Sequence, residues 1–194
     1  KVRRVRRSII QPDSVARKSS VVAAKVETVF DYGAALNQSQ QLDLVCLHEQ
    51  GYRGQGIVIA VMDAGFSSVP VTDVFDSLRN EGRLLGGRDF VNGGINPYVG
   101  GDHGTMVLSC MAALKHGTAI GTAPLASYWL IRTEEGGAET ISEEYNWIRA
   151  AEFADSAGAD ILTTSLGYAT FDDSAQDHNY QSLNGKTAPM SIAA

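Results

Sequence analysis

The sequence predicts an α/β fold, a three-layer sandwich on a mostly parallel sheet, and three observations carry that prediction. IVIAVMD (57–63) and ASYWLIRT (126–133) are short apolar runs of the kind buried on both faces in a parallel sheet. ADILTTSLG (159–167) supplies a third strand. Segments of helical spacing, about ten to eighteen residues long, separate these runs, and strands alternating with such helices favour parallel pairing.

Residues 1–27 stand apart from the rest. They carry eight Lys/Arg against two Asp/Glu, whereas residues 28–194 carry eight against twenty. RKSSVVAAK (17–25) is polar and rich in small residues, so it reads as a linker or cleavable joint. The run KVRRVRR has no aromatic residue near it and joins an acidic body, so no nucleic-acid partner is expected. The chain divides accordingly into a basic extension, 1–27, and a body, 28–194.

In the body, ALNQSQQLDLVCLHEQG predicts one helix with Leu36, Leu42, Val45 and Leu47 as its apolar positions and Gly51 at its end. Strand 57–63 follows. Residues 64–102 hold turn signals (AGFSS, NEGR, LGGRD, NGGINP) around one short strand candidate, RDFVN. After His103, the positions Met106, Val107, Cys110, Met111 and Leu114 recur at spacings of three and four, which predicts one buried helix face. TISEEYNWIRAAEFADSAG predicts a helix with a Thr140/Glu143 capping box and Gly158 at its end. Cys46 and Cys110 sit in apolar contexts, LVCLH and LSCMA, and read as buried thiols.

With 44% hydrophobic and 20% charged residues, the chain is long enough for one sizeable core. No run of about 18 apolar residues occurs, so no membrane span is expected. NGKT (184–187) lacks the earlier glycine of a phosphate loop, HEQGY is not a zinc helix, and GQGIVIA precedes its strand, so it is not a dinucleotide fingerprint.

In open parallel sheets, ligands gather at the carboxyl ends of the strands. Asp63 ends a buried strand on that rim, and His103 opens a helix in GDHGTMV. Alone, each has two readings. Asp63 is a hydrogen-bonded turn aspartate or a functional carboxylate; His103 is a cap for free helix amides or a proton carrier. The nearest other histidine, His116, is thirteen residues away, outside the spacing of a paired metal site.

Five ordered segments decide between these readings by resemblance. GYRGQGIVIAVMDAGF resembles the aspartate motif of subtilisin-like serine proteases, and DHGTMVLSCMAAL resembles their histidine motif. GTAPLASYWLIR is similar to the family's turn into a strand, and GADILTTSLG to the strand ending in Ser-Leu-Gly that lines the substrate cleft. YGAALNQSQQLDLVCLHEQGYRG resembles the start of the mature enzyme. Together they span roughly residues 30–168.

The resemblance implies a serine endopeptidase in which His103 is the general base and acid and Asp63 orients it. It implies a cleft lined on one side by Ser165, Leu166 and Gly167, and on the other by Glu135, Gly136, Gly137 and Ala138. An extended peptide would add as a strand between them. The family's Gly-Thr-Ser-Met nucleophile motif and the Ala-Gly-Asn segment of the oxyanion hole do not occur in the sequence. The fold is therefore expected to be incomplete at the carboxyl end, near APMSIAA, and the chain inactive alone. Thr163 stands where the family usually carries asparagine.

No cofactor is expected. Calcium belongs to some relatives, but ALKHGTAIGTAP lacks the Asn-rich insertion that binds it. Residues 1–27 take the position of a prosegment's end, so the implied partners are a peptide or protein substrate, the prosegment and the missing carboxyl-terminal half. The implied location is secreted or at the cell envelope. The alternative is a non-catalytic peptide-binding module with the same cleft. Glu134, Glu135, Glu139, Glu143 and Glu144 crowd into eleven residues, either as ordinary helix-start acids or as a rim that favours basic substrates.

Overall fold

The computed structural model describes residues 29–194. The basic extension and its linker, with the prosegment reading placed on them, lie outside the described residues. In chain order the elements are α1 (Leu36–Gln41), α2 (Leu44–Glu49), β1 (Val58–Asp63), α3 (Asp76–Asn80), β2 (Leu84–Asp89) and α4 (His103–Ala112). Then come β3 (Leu114–Lys115), β4 (Ala119–Ile120), β5 (Ser127–Arg132), α5 (Ile141–Ser156), β6 (Ile161–Thr164) and α6 (Pro189–Ala193).

The main sheet has the order β2-β5-β1-β6, and every pairing in it is parallel. β1 runs in register with β5 from Val58 beside Ser127 to Asp63 beside Arg132. Alternation along the strands divides the core into two faces. Ile59, Val61, Tyr128 and Leu130 face α4 and pack with Leu108, Ala112, Phe66 and Phe75. Ala60, Met62 and Ile131 face α5 and pack with Trp147, Ala150 and Ala154. Val61, Leu108 and Leu130 are completely buried, and burial of each such side chain stabilises by about 1.5–3 kcal/mol. This is the expected α/β sandwich.

Four local expectations are corrected. The helix read from ALNQSQQLDLVCLHEQG is two helices, because Asp43 adopts a left-handed φ of 53° between them. That break turns Ser39, Leu44 and His48 inward and leaves Leu36, Leu42 and Leu47 exposed. The strand expected at RDFVN is LLGGRD instead. Its glycines are strand residues: a Cβ on Gly86 would lie 2.7 Å from the Trp129 ring, and one on Gly87 would lie 2.3 Å from Pro97.

In α4 the buried face is Gly104, Thr105, Leu108 and Ala112, while Met106 and Cys110 are exposed. Val107 and Met111 are half-buried and pack against this core, and Leu114 packs on Phe30, Tyr32 and Ile120, as expected. The buried face is rotated from the apolar one because close backbone approach turns Gly104 and Thr105 toward the sheet. Both cysteines are exposed free thiols. At the sheet edge, Ile161 and Leu162 of β6 are both partly exposed.

Candidate active site

β1 delivers Asp63 to the carboxyl rim of the sheet with its side chain fully buried. Its Oδ1 accepts the Ala64 amide at 2.7 Å and the His103 imidazole Nδ1–H at 2.8 Å. A carboxylate can only accept, so this contact places the proton of a neutral imidazole on Nδ1 and leaves Nε2 as the basic nitrogen. The His103 side chain is 49% exposed, so its ring combines a buried anchor with access from solvent. Asp63 Oδ2 is buried without a hydrogen-bond partner among the described residues.

Backbone contacts hold these two side chains together across 40 residues of chain. Gly104, next to the histidine, lies so close to β1 that a Cβ would meet Gly65 O at 2.6 Å, the Phe66 ring at 2.7 Å and Asp63 Cβ at 2.9 Å. The Gly after His103 is thus a steric requirement. Gly65, at φ +152°, bridges Gly100, and a Cβ there would lie 2.2 Å from Val99 O.

Asp102 precedes α4 and accepts from Ser67 Oγ, Ser68 N, Ser68 Oγ and Thr105 Oγ1, which fastens the start of the helix to the loop after β1. These hydrogen bonds, those from Ser67 and Ser68 foremost, hold its carboxyl below the usual range. Behind the rim, Arg132 donates to Ala64 O at 3.1 Å and pairs with buried Asp89 at 3.2 Å.

The other predicted site residues lie on the neighbouring strand ends. Ser165, Leu166 and Gly167 follow β6 directly, and Ser165 and Gly167 are exposed. Glu135, Gly136, Gly137 and Ala138 follow β5 as a turn, not as an extended edge: the amides of Gly137 and Ala138 donate to Glu135 O. A Cβ on Gly136, Gly137 or Gly167 would meet nothing within 4 Å, so these backbones border open space.

The acidic cluster separates into different roles. Glu143 is buried and accepts the amides of Glu135 and Thr140, the second being the expected reach-back of the helix start. Glu144 is completely buried and accepts from His178 and from the Met190 amide, which ties the terminal segment to α5. Glu134 is half-buried, and burial pushes its carboxyl up to about 7. The Tyr168 hydroxyl opposes that rise, while the carboxylates of Glu143, Glu139 and Asp63 add to it. Burial also raises the Tyr168 phenol, and its hydroxyl meets no partner in good hydrogen-bond geometry among the described residues.

Sequence reasoning missed His48. It is completely buried, accepts from the Tyr32 hydroxyl at 2.7 Å through Nδ1 and donates from Nε2 to Thr122 O. Burial depresses its basicity, so it locks the Tyr32 segment to the core as a neutral ring. Nothing in LVCLH distinguishes it from a surface histidine. Among the described residues, no three His, Cys, Asp or Glu side chains are grouped as a metal ion would require.

A buried aspartate gripping the Nδ1 of an exposed histidine invites comparison with known proteins. No family model matches the chain. It is 35% identical over 133 residues to subtilisin E of Bacillus subtilis, a match covering 67% of this chain and 32% of that protein. It is 33% identical over 133 residues to subtilisin of Bacillus pumilus, covering 67% of this chain and 44% of that one. The chain belongs to the subtilisin-like serine protease family.

Solved structures agree on the fold. The serine protease MycP1, described as an essential component of the type VII (ESX-1) secretion system, superposes with a TM-score of 0.55 at 21% identity, over 88% of this chain and 45% of that one. MycP1 of Mycobacterium smegmatis gives 0.55 at 16% identity, over 88% and 43%. The chain thus spans about a third of the length of the first subtilisins it matches and under half of these MycP1 chains.

Proposed function

We propose that this chain carries the aspartate and histidine of a serine endopeptidase whose nucleophilic serine and oxyanion asparagine lie in sequence beyond these 194 residues. The observation that carries the reading is the 2.8 Å contact between Asp63 Oδ1 and His103 Nδ1. In that arrangement His103 Nε2 takes the proton of the serine hydroxyl as it attacks the scissile carbonyl. Buried Asp63 stabilises the imidazolium that forms, and His103 then gives the proton to the leaving amine.

The substrate is an extended segment of peptide or protein. It lies along Ser165–Gly167 and is bordered on the far side by the Glu135–Ala138 turn. Glu143 and Glu144 are committed to the fold, so a preference for basic substrate residues rests on exposed Glu135 and, above about pH 7 where its carboxyl is charged, on Glu134. The family supports a secreted or cell-envelope location, and the expected partners are the substrate, a prosegment and the remainder of the catalytic domain.

The experiment compares the 194-residue chain with a version extended through a Gly-Thr-Ser-Met motif, using a fluorogenic protein substrate. The short chain gives no turnover that His103→Ala removes. The extended chain is active, loses activity with His103→Ala, and is blocked by a serine-directed sulfonyl fluoride. An inactive but folded extended chain that still binds peptides would instead make the cleft a non-catalytic binding module.

A further inference from the structure

Away from the Asp63–His103 pair, the end of β2 and the second half of α5 enclose an open groove of about 520 Å³. Arg88 and Arg149 line it, with Phe90 and Phe153 as its apolar walls and Gly93 and Gly94 at its rim. Each guanidinium is stacked on an aromatic ring: Arg88 lies 5.0 Å from the Phe153 centroid, and Arg149 lies 5.0 Å from that of Phe90. The two rings are themselves 6.3 Å apart, so the cations and aromatics form one interleaved unit. Stacking of this kind fixes a long side chain without using its five N–H donors.

Those donors are what set the groove apart. Residues 28–194 hold twenty Asp/Glu and only eight Lys/Arg. Arg79, Arg83, Lys115 and Arg132 each pair with a carboxylate, and Arg53 donates to His48 O. The Arg88 and Arg149 guanidiniums make no hydrogen bond or ion pair among the described residues, although carboxylates are in excess. Of the two acids lining the groove, Asp89 is committed to Arg132 and to the amides of Val91 and Asn92, which leaves Glu152. The amides of Gly93 and Gly94 likewise donate to no group among the described residues.

We infer that this groove is a binding site for an oxyanion, carboxylate or phosphate, held between the Arg88 and Arg149 guanidinium groups. Two prepositioned guanidiniums and free glycine amides match the acceptor oxygens of such a group through charge-assisted hydrogen bonds. The apolar walls suit a ligand whose anionic end is joined to an apolar body. The site is independent of the protease reading, since it shares no residue with the Asp63–His103 pair.

The test is nuclear magnetic resonance on the chain labelled with 15N, titrated at constant ionic strength with sodium phosphate and, separately, with sodium citrate. The expected result is joint, saturable movement of the Arg88 and Arg149 Nε–H signals and the Gly93 and Gly94 amides. Arg88→Gln/Arg149→Gln should weaken that binding at least tenfold, and Arg88→Lys/Arg149→Lys, which keeps the charge, should weaken it less. Saturation by phosphate alone assigns a phosphate ligand, by citrate alone a carboxylate ligand, and by both a general oxyanion site. Shifts that rise linearly without saturating, or a titration unchanged by both double variants, would overturn the inference.

Discussion

Around the Asp63–His103 pair, backbone meets backbone. Gly104 lies against Gly65 O, Gly65 bridges Gly100, and no side chain fits between them. On the Glu134–Ala138 side, a turn is held by one carboxylate, Glu143, which accepts two amides, and the glycines face open space. The first arrangement fixes two side chains to within hydrogen-bond reach, as proton transfer demands. The second holds a rim in place while leaving its surface free to meet a ligand.

The largest effect should come from Arg132, which braces the first side by joining Ala64 O to buried Asp89. Arg132→Met leaves Asp89 buried with only its amide donors, so stability should fall by about 3–5 kcal/mol, read from the urea midpoint. A loss below about 1 kcal/mol would show that the brace is dispensable.

The two sides can be compared directly through their glycines. Gly104→Ala places a Cβ against three atoms closer than 3.0 Å, and such overpacking should cost about 1–3 kcal/mol and part His103 from Asp63. Gly136→Ala meets nothing within 4 Å and should change stability by less than about 0.5 kcal/mol. Equal urea midpoints for the two variants would erase the distinction between the sides.

The last effect shows only as pH changes and concerns the Glu134 carboxyl. The folded state raises the Glu134 carboxyl from 4.5 to about 7, so it retains a proton that the unfolded chain releases at lower pH. Its contribution to stability is therefore complete below about pH 4.5 and is lost as pH rises through 7. Glu134→Gln should match the wild type at pH 4 and exceed it in melting temperature at pH 8. A constant difference between the two proteins from pH 4 to 8 would mean that Glu134 does not titrate in this window.

What could be read from the sequence follows the same division. The buried strands and the Asp63 and His103 positions were legible because apolar runs and glycine-flanked motifs report backbone constraints, which are local. Gly104 and Gly65 are visible in the sequence for that reason. The helix break at Asp43 was not, since a single left-handed residue inside a helical pattern leaves no periodic trace. The α4 face was read only in part: Val107 and Met111 pack on the core, but Gly104 and Thr105 go inward on account of space, while Met106 and Cys110 remain outside. Thr122 for His48, His178 for Glu144 and Asp89 for Arg132 lie 34 to 74 residues away in sequence. Only the folded chain brings them together.

The central claim is that Asp63 fixes the His103 tautomer and leaves Nε2 free to act as a base. Long-range 15N–1H correlation of the imidazole signals tests this in the 194-residue chain at a pH where the ring is neutral. The account predicts the proton on Nδ1 of His103, shifted strongly downfield, and loss of that signal in Asp63→Ala while the fold persists. A proton on Nε2, or an Nδ1 signal that survives Asp63→Ala unchanged, would contradict it.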